Sequence, residues 1–327
     1  MRTVRKSSAR TGVRVFAPAS VANFGVGFDA LGAALDGPGD VVIARPSRRK
    51  GVRVVSISGD GGKLPRDPER NTASVAAAEV LAIAQKGGSS VLGIDLEIEK
   101  GLPLESGLGS SAASAAAGGF AAALLLGVTN RQKVLRAVLL GEHAADGSWH
   151  GDNVFASLLG GLVLVPSSRP DGPLRPVILP VPKELRLVLV HPDLTLKTSE
   201  SRKVLPSQVP LGTSVRQAAA FASLVAALAA GDLPAAGRAI DADAIIEPAR
   251  AKLIPGHAAV TKAMRKAGAF GCAIAGAGPS LLALSDDSSR SREVAHAAVV
   301  AWKAEGIQAT GAVYEIDQNG ARELDLS

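Results

Sequence analysis

The sequence predicts a mixed α+β protein in two domains. Residues 94–127 read as strand, glycine loop and helix, and further strand-like and helix-like segments lie on either side of that unit. A proline-rich stretch at 167–182 separates two segments of domain size in a chain of 327 residues, so the domains are expected at 1–170 and 183–327. Hydrophobic content of 47% is ample for two cores. With only 3% aromatic residues, those cores must be filled mainly by Ala, Val and Leu.

In chain order, Val13, Val15 and Ala17 alternate with polar or larger neighbours up to Pro18, a strand ending in a turn. Gly25 and Gly27 hold the bend that follows, and Ser20, Asn23 and Asp29 are presented from it as a loop. Asx-turn chemistry within the bend is the plain reading of those side chains. Residues 41–44 and 52–57 read as strands and 59–63 as a polar turn, after which Asn71 and Thr72 are good caps for a helix over 73–84.

Ile94, Leu96 and Ile98 then alternate with Asp95, Glu97 and Glu99, and the strand leads through Pro103 into Gly107, Leu108, Gly109, Ser110 and Ser111. A glycine loop feeding a helix N-terminus lets backbone N–H groups approach an anion, and the helix dipole favours negative charge there. A phosphate chain is the obvious ligand. One of the paired serines can cap the helix while the other donates to phosphate or ligates a metal. A P-loop is excluded, because Leu108 follows Gly107 and no lysine reaches the phosphates from here. Gly107, Gly109 and Ala112 satisfy the dinucleotide spacing, yet Pro103 and Glu105 intervene after the strand and the first acid beyond the loop is Glu142. A glycine turn capping a buried helix explains this stretch, taken alone, as well as a phosphate site does. Residues 106–130 carry no charge, but their Ala, Gly and Ser content makes them a core helix rather than a membrane span.

A helix over 131–144 carries Glu142, and His150, Asp152 and Asn153 follow closely. Singly, each has an ordinary reading as a solvated or hydrogen-bonded surface group. Beyond the proline-rich stretch come a strand at 185–190, a helix at 214–230, a shorter helix to about 240, a hairpin around Gly276, Gly278 and Pro279, a helix at 291–304 and a strand at 311–316. Arg202 and Arg250 stand between these as unremarkable surface residues.

Net charge is +6, with basic residues at Arg2, Arg5, Lys6, Arg10 and Arg14 and again over 45–50. So few aromatic side chains leave little for base stacking, so a solvated basic surface is expected rather than nucleic-acid binding. Cys272 is alone, which excludes a disulfide framework and a cysteine metal site, and no apolar targeting segment follows the basic start. A short mobile tail and a cytoplasmic protein are expected.

Pro103 followed by Gly-Leu-Gly-Ser-Ser-Ala at 107–112 resembles the phosphate loop of the GHMP kinases. Residues 18–29 resemble the first motif of that superfamily in the form found in homoserine kinases, with Val21 and Val26 in place of the usual Ser and Pro. Glu142, then His150-Gly-Asp152-Asn153-Val154, then Leu159-Gly-Gly, and finally residues 275–280 match its later motifs. The resemblance implies an N-terminal α+β domain and a C-terminal ferredoxin-like sandwich with the active site in the cleft between them. It implies ATP and Mg²⁺ as cofactors and the side-chain hydroxyl of L-homoserine as acceptor, on the route to threonine. Pro103, Gly107, Leu108, Gly109, Ser110, Ser111 and Asn71 would bind the nucleotide, Ser111 and Glu142 the metal, and Asn23, Asp29, Asn153, Arg202 and Arg250 the acceptor. Asp152 corresponds to a general base in mevalonate kinases, whereas direct transfer has been argued for homoserine kinases, and its role stays open. The partner implied is a small molecule, without nucleic acid or membrane, and a homodimer is left open. A sugar or isoprenoid-alcohol kinase, or a basic RNA-binding module, are the rival readings.

Overall fold

The computed structural model describes residues 10–104 and 106–326. Arg2, Arg5 and Lys6, with the tail expected there, lie outside the described residues, as does Glu105.

The first half builds one sheet and covers it with helices. Strands β1 (Val13–Asn23), β2 (Gly27–Ser47) and β3 (Gly51–Ser58) precede α1 (Thr72–Lys86), and β4 (Gly93–Glu99) inserts between β2 and β3. β2 lies antiparallel to β1 and to β4, whereas β3 runs parallel to β4. Helices α2 (Ser110–Leu126), α3 (Arg131–Asp146) and α4 (Gly151–Leu159) follow, then β5 (Leu162–Leu164) and β6 (Val177–Leu179), which add to the sheet through β2. The proline-rich stretch therefore contains a short strand.

Small residues let these helices pack closely. Asn71 caps α1 by accepting from the Ser74 N–H, and Ala112, Ala115, Ala116, Ala117, Ala121 and Ala122 of α2 are fully buried against the sheet and α1. A Cβ on Gly118 would come within 2.5 Å of the Ala73 carbonyl, and one on Gly141 within 2.6 Å of the Thr72 carbonyl. Within the uncharged stretch 106–130, residues 110–126 are thus a core helix, as the Ala and Gly content predicts.

The second half runs β7 (Arg186–Pro192), α5 (Thr198–Lys203), α6 (Leu211–Ala230), α7 (Leu233–Ile240), α8 (Ile246–Arg250), α9 (His257–Lys266), β8 (Gly271–Ile274), β9 (Leu281–Ser285), α10 (Ser288–Ala304), β10 (Ala309–Tyr314) and β11 (Arg322–Leu324). Its four-stranded antiparallel sheet has the order β10-β7-β9-β8, the ferredoxin-like arrangement. Strand alternation fills both faces. Val188, Val190, Leu281 and Ala283 pack with Val260, Met264 and Trp302 from α9 and α10. Leu187, Leu189, Leu282 and Leu284 share a core with Leu228 and Ala236 from α6 and α7 and with Val21, Leu31 and Ala33 of the first sheet. That shared core holds the two sheets together across the site. β11 returns to pair with β1, so the division at 170/183, which we retain as a proposal, is crossed by the last strand. Among the described residues α6 alone is long and apolar enough to span a bilayer; its Leu224, Ala227 and Leu228 are buried in the second half.

Candidate active site

Between the sheets lies a cleft of about 720 Å³, lined by the loop entering α2, the first turn of α4, the segment 195–199, and Arg202 and Arg250. The loop needs glycine at two positions. Gly107 and Gly109 have left-handed backbone, with φ of 77° and 64°, which is unfavourable for a residue carrying a Cβ. A Cβ on Gly109 would overlap the Ser20 hydroxyl, and one on Gly107 would stand 2.9 Å from the Ala275 carbonyl. The turn at 275–279 thus packs on the glycine loop, and Ser280 Oγ ties the two by donating to the Ser106 carbonyl at 2.5 Å.

Gly109 is itself the N-cap of α2, and no side chain caps the helix. This corrects the expectation that one of the paired serines does so: Ser110 and Ser111 already belong to the first turn, past the position from which a side chain can reach back to the helix amides. The N-terminal amides therefore stay available to an anion. The Ser110 hydroxyl is buried without a hydrogen-bond partner. The Ser111 hydroxyl donates to Oε1 of Glu142 at 3.0 Å, and His150 Nδ1 lies 3.3 Å from the same oxygen. Glu142 is only 3% exposed, and its Oε2 has no partner.

Beneath the loop, Lys100 Nζ bonds Asp40, the Ser110 carbonyl (2.8 Å) and Ser114 Oγ (2.9 Å). Burial pulls this ammonium below the ordinary lysine range, while Asp40 works against the shift. Asn71 lines the cleft, but its amide is engaged at both ends: Oδ1 accepts from the Ser74 N–H and Nδ2 donates to the Pro65 carbonyl at 3.0 Å. Pro103 shapes the approach by accepting from Ser106 Oγ through its carbonyl.

The remaining residues singled out in the sequence also line the cleft. Asn23 and Asp29 are not loop residues: Asn23 ends β1 and Asp29 lies in β2, both with positive φ (78° and 55°). Asn and Asp tolerate that backbone better than most, and the Asp29 N–H donating to Asn23 Oδ1 at 3.0 Å supports it. Arg202 makes a two-pronged pair with Asp29 at 2.8 and 3.0 Å. Arg250 is 2% exposed and donates to the carbonyls of Ser201 and Gly276. Burial first, then the neighbouring Arg202, lowers its pKa to about 10, so it remains a cation at neutral pH. The Phe28 ring lies under both guanidinium groups, at 5.5 and 4.9 Å.

Asp152, in the first turn of α4, is 1% exposed. Desolvation raises its carboxyl from 3.8 to about 6; His150 opposes this and Asp29 adds to it. The Asn153 N–H donates to its Oδ1 at 2.9 Å, and Asn153 Oδ1 accepts from Ser20. The structure thus brings together the residues singled out from Asn23 to Arg250. Phe28, Asp40 and Lys100 escaped sequence reasoning. Scarcity of aromatic residues could have marked Phe28; nothing local links Asp40 to Lys100.

Family profiles match this arrangement: GHMP kinases N terminal domain over residues 71–161 and GHMP kinases C terminal over 224–303. The homoserine kinase of Chlorobium phaeovibrioides (strain DSM 265 / 1930) is 46% identical over 293 residues, 88% of this chain and 89% of that one. The chain belongs to the homoserine kinase family of GHMP kinases. Homoserine kinase of Arabidopsis thaliana is 42% identical over 314 residues, covering 95% of this chain and 84% of that one. The crystal structure of homoserine kinase from Cytophaga hutchinsonii superposes with a TM-score of 0.90 at 42% identity, covering 98% of this chain and all of the other. Membership in this family favours neither a sugar nor an isoprenoid acceptor.

Proposed function

We propose that this protein transfers the γ-phosphoryl group of ATP to the side-chain hydroxyl of L-homoserine, in threonine biosynthesis and in the cytoplasm. The observation that carries the reading is one cleft lined together by the glycine loop and first turn of α2, by Asp29, Arg202 and Arg250, and by Asp152 and Glu142. Phosphoryl transfer asks mainly for positioning and charge stabilisation, and these residues suit both tasks.

The amides of 107–111 and the Ser110 hydroxyl, which lacks a partner, receive the nucleotide phosphates. Ser111 and Glu142 fit Mg²⁺: Glu142 offers a buried oxygen without a partner, beside a hydroxyl that already touches its other oxygen. The ion, when bound, supplies neutralisation of phosphate charge. Asp29, with Asn23, receives the ammonium of the amino acid, and Arg202 and Arg250 its carboxylate; charge-assisted contacts of this kind orient the acceptor. Asp152, with Asn153 fixing one oxygen, takes the proton from the attacking hydroxyl. A carboxylate whose pKa is raised toward neutrality is a better base than an exposed one, yet stays ionised at pH 7.

The test is ADP release from ATP with homoserine, serine, mevalonate and galactose offered in turn. Turnover with homoserine far above the other three is the expected result, and equal or better turnover with mevalonate or galactose refutes the assignment.

A further inference from the structure

The phosphate loop lacks the lysine that a P-loop carries after its glycines, yet a lysine reaches it from the preceding strand. Lys100 stands just beyond β4, and its side chain runs under the start of α2 with 1% of its surface exposed. Its three ammonium hydrogens have three acceptors: Asp40, the Ser110 carbonyl and Ser114 Oγ. Asp40, fully buried on β2, accepts in turn from Ser114 Oγ at 2.7 Å and from the Gly101 N–H at 3.1 Å. Each member of the set is satisfied by the others. A buried ion pair is a weak contributor to stability compared with apolar side chains of similar volume, so stability alone does not account for placing one here.

Its position does. The peptide between Ser110 and Ser111 is planar and trans, so its C=O and N–H point in opposite directions. Holding the Ser110 oxygen from below fixes the direction of the Ser111 N–H, one of the amides that the start of α2 leaves open to an anion. The same residue pair carries the buried Ser110 hydroxyl without a partner and the Ser111 hydroxyl bonded to Glu142.

We propose that Lys100, anchored by Asp40 and Ser114, is a positioning residue for the nucleotide-phosphate subsite: through the Ser110 carbonyl it aims the first amides and hydroxyls of α2, and it sets one positive charge behind the loop. This rests on the kinase reading and adds to it a buried set behind the loop, of which Lys100 and Ser114 border the cleft.

Two variants test it. Lys100→Met removes the ammonium at nearly constant length but leaves Asp40 as a buried, unpaired charge, which costs stability. The double variant Lys100→Met/Asp40→Asn removes both charges and regains most of the wild-type melting temperature. ADP binding is read by titration calorimetry, which needs no acceptor, and KM is read for ATP and for homoserine. In the double variant, affinity for ADP falls about tenfold, the lower range of what loss of an outer supporting group costs a bound metal, KM for ATP rises in step, and KM for homoserine moves less than twofold. A folded double variant that binds ADP as tightly as wild type overturns this inference alone. Wild-type protein that binds no ADP overturns the kinase reading and this inference together.

Discussion

Replacing Asp152 by Asn should make the protein more stable and less active, in a pH-dependent way. Asp152 is buried at 1% exposure, and its carboxyl titrates near 6 instead of 3.8. Folding therefore raises its pKa, and the folded chain binds this proton more tightly than the unfolded chain does. Below pH 4 the group is protonated in both states and adds no electrostatic cost. Between about pH 4 and pH 6 wild-type stability falls as pH rises; above the folded pKa the full penalty is present. A shift of roughly two units corresponds to about 3 kcal/mol. Asparagine is nearly isosteric, keeps an oxygen for the Asn153 N–H and carries no charge, so the gain of variant over wild type should grow from near zero at pH 4 to at most about 3 kcal/mol at pH 8. Urea unfolding of both proteins across that range measures it. Over the same range wild-type turnover should rise on an acidic limb near pH 6, and the variant should lose about 10²- to 10⁴-fold in kcat, the usual contribution of a general base. A gain that does not change with pH would refute the desolvation argument, and a loss in kcat below about tenfold would mean that Asp152 is no base.

The other expectations concern further residues that line the cleft. Glu142→Gln should leave the far-ultraviolet circular dichroism and melting temperature close to wild type while cutting kcat by orders of magnitude, because the amide cannot replace a carboxylate on Mg²⁺; wild-type turnover at saturating Mg²⁺ would remove Glu142 from the site. Gly109→Ala should abolish nucleotide binding in calorimetry, since the residue has φ of 64° and its Cβ would overlap Ser20. Asp29→Asn and Arg250→Lys should each raise KM for homoserine far more than KM for ATP, with kcat/KM falling about 10- to 150-fold for the roughly 1.5–3 kcal/mol of a charged hydrogen bond. Equal increases in both KM values would show instead that these residues shape the cleft as a whole.

The glycine loop and α2 were legible because local signals agree there: alternation at 94–98, paired glycines, then a long run of small residues. The cap of α1 at Asn71 was legible for the same reason, and so was the hairpin at 272–285. The bend at 23–29 was legible only in part. Its glycines mark the turn at 24–26, but that β1 reaches Asn23 and β2 already holds Asp29, with positive φ at both, depends on the pairing of the two strands on either side. α4 was hidden behind its chemistry: His150, Asp152 and Asn153 read singly as surface groups, yet Asp152 and Val154 through Leu158 are buried in a helix. The pairing of Lys100 with Asp40 spans sixty residues and is made by adjacent strands, which no local pattern reveals. The same holds for Arg202 and Arg250, which taken singly read as surface residues. The burial of Arg250 and the pairing of Arg202 with Asp29, 173 residues away, arise only when the second sheet packs on the first.

The central claim is that an amino-acid alcohol is phosphorylated because the cleft reads its ammonium and its carboxylate. The most direct measurement compares kcat/KM of the wild-type protein for homoserine and for its deamino analogue at saturating ATP and Mg²⁺. The expected result is a preference for homoserine of at least about tenfold, the lower bound for one lost charge-assisted contact; equal use of the two compounds would contradict the account.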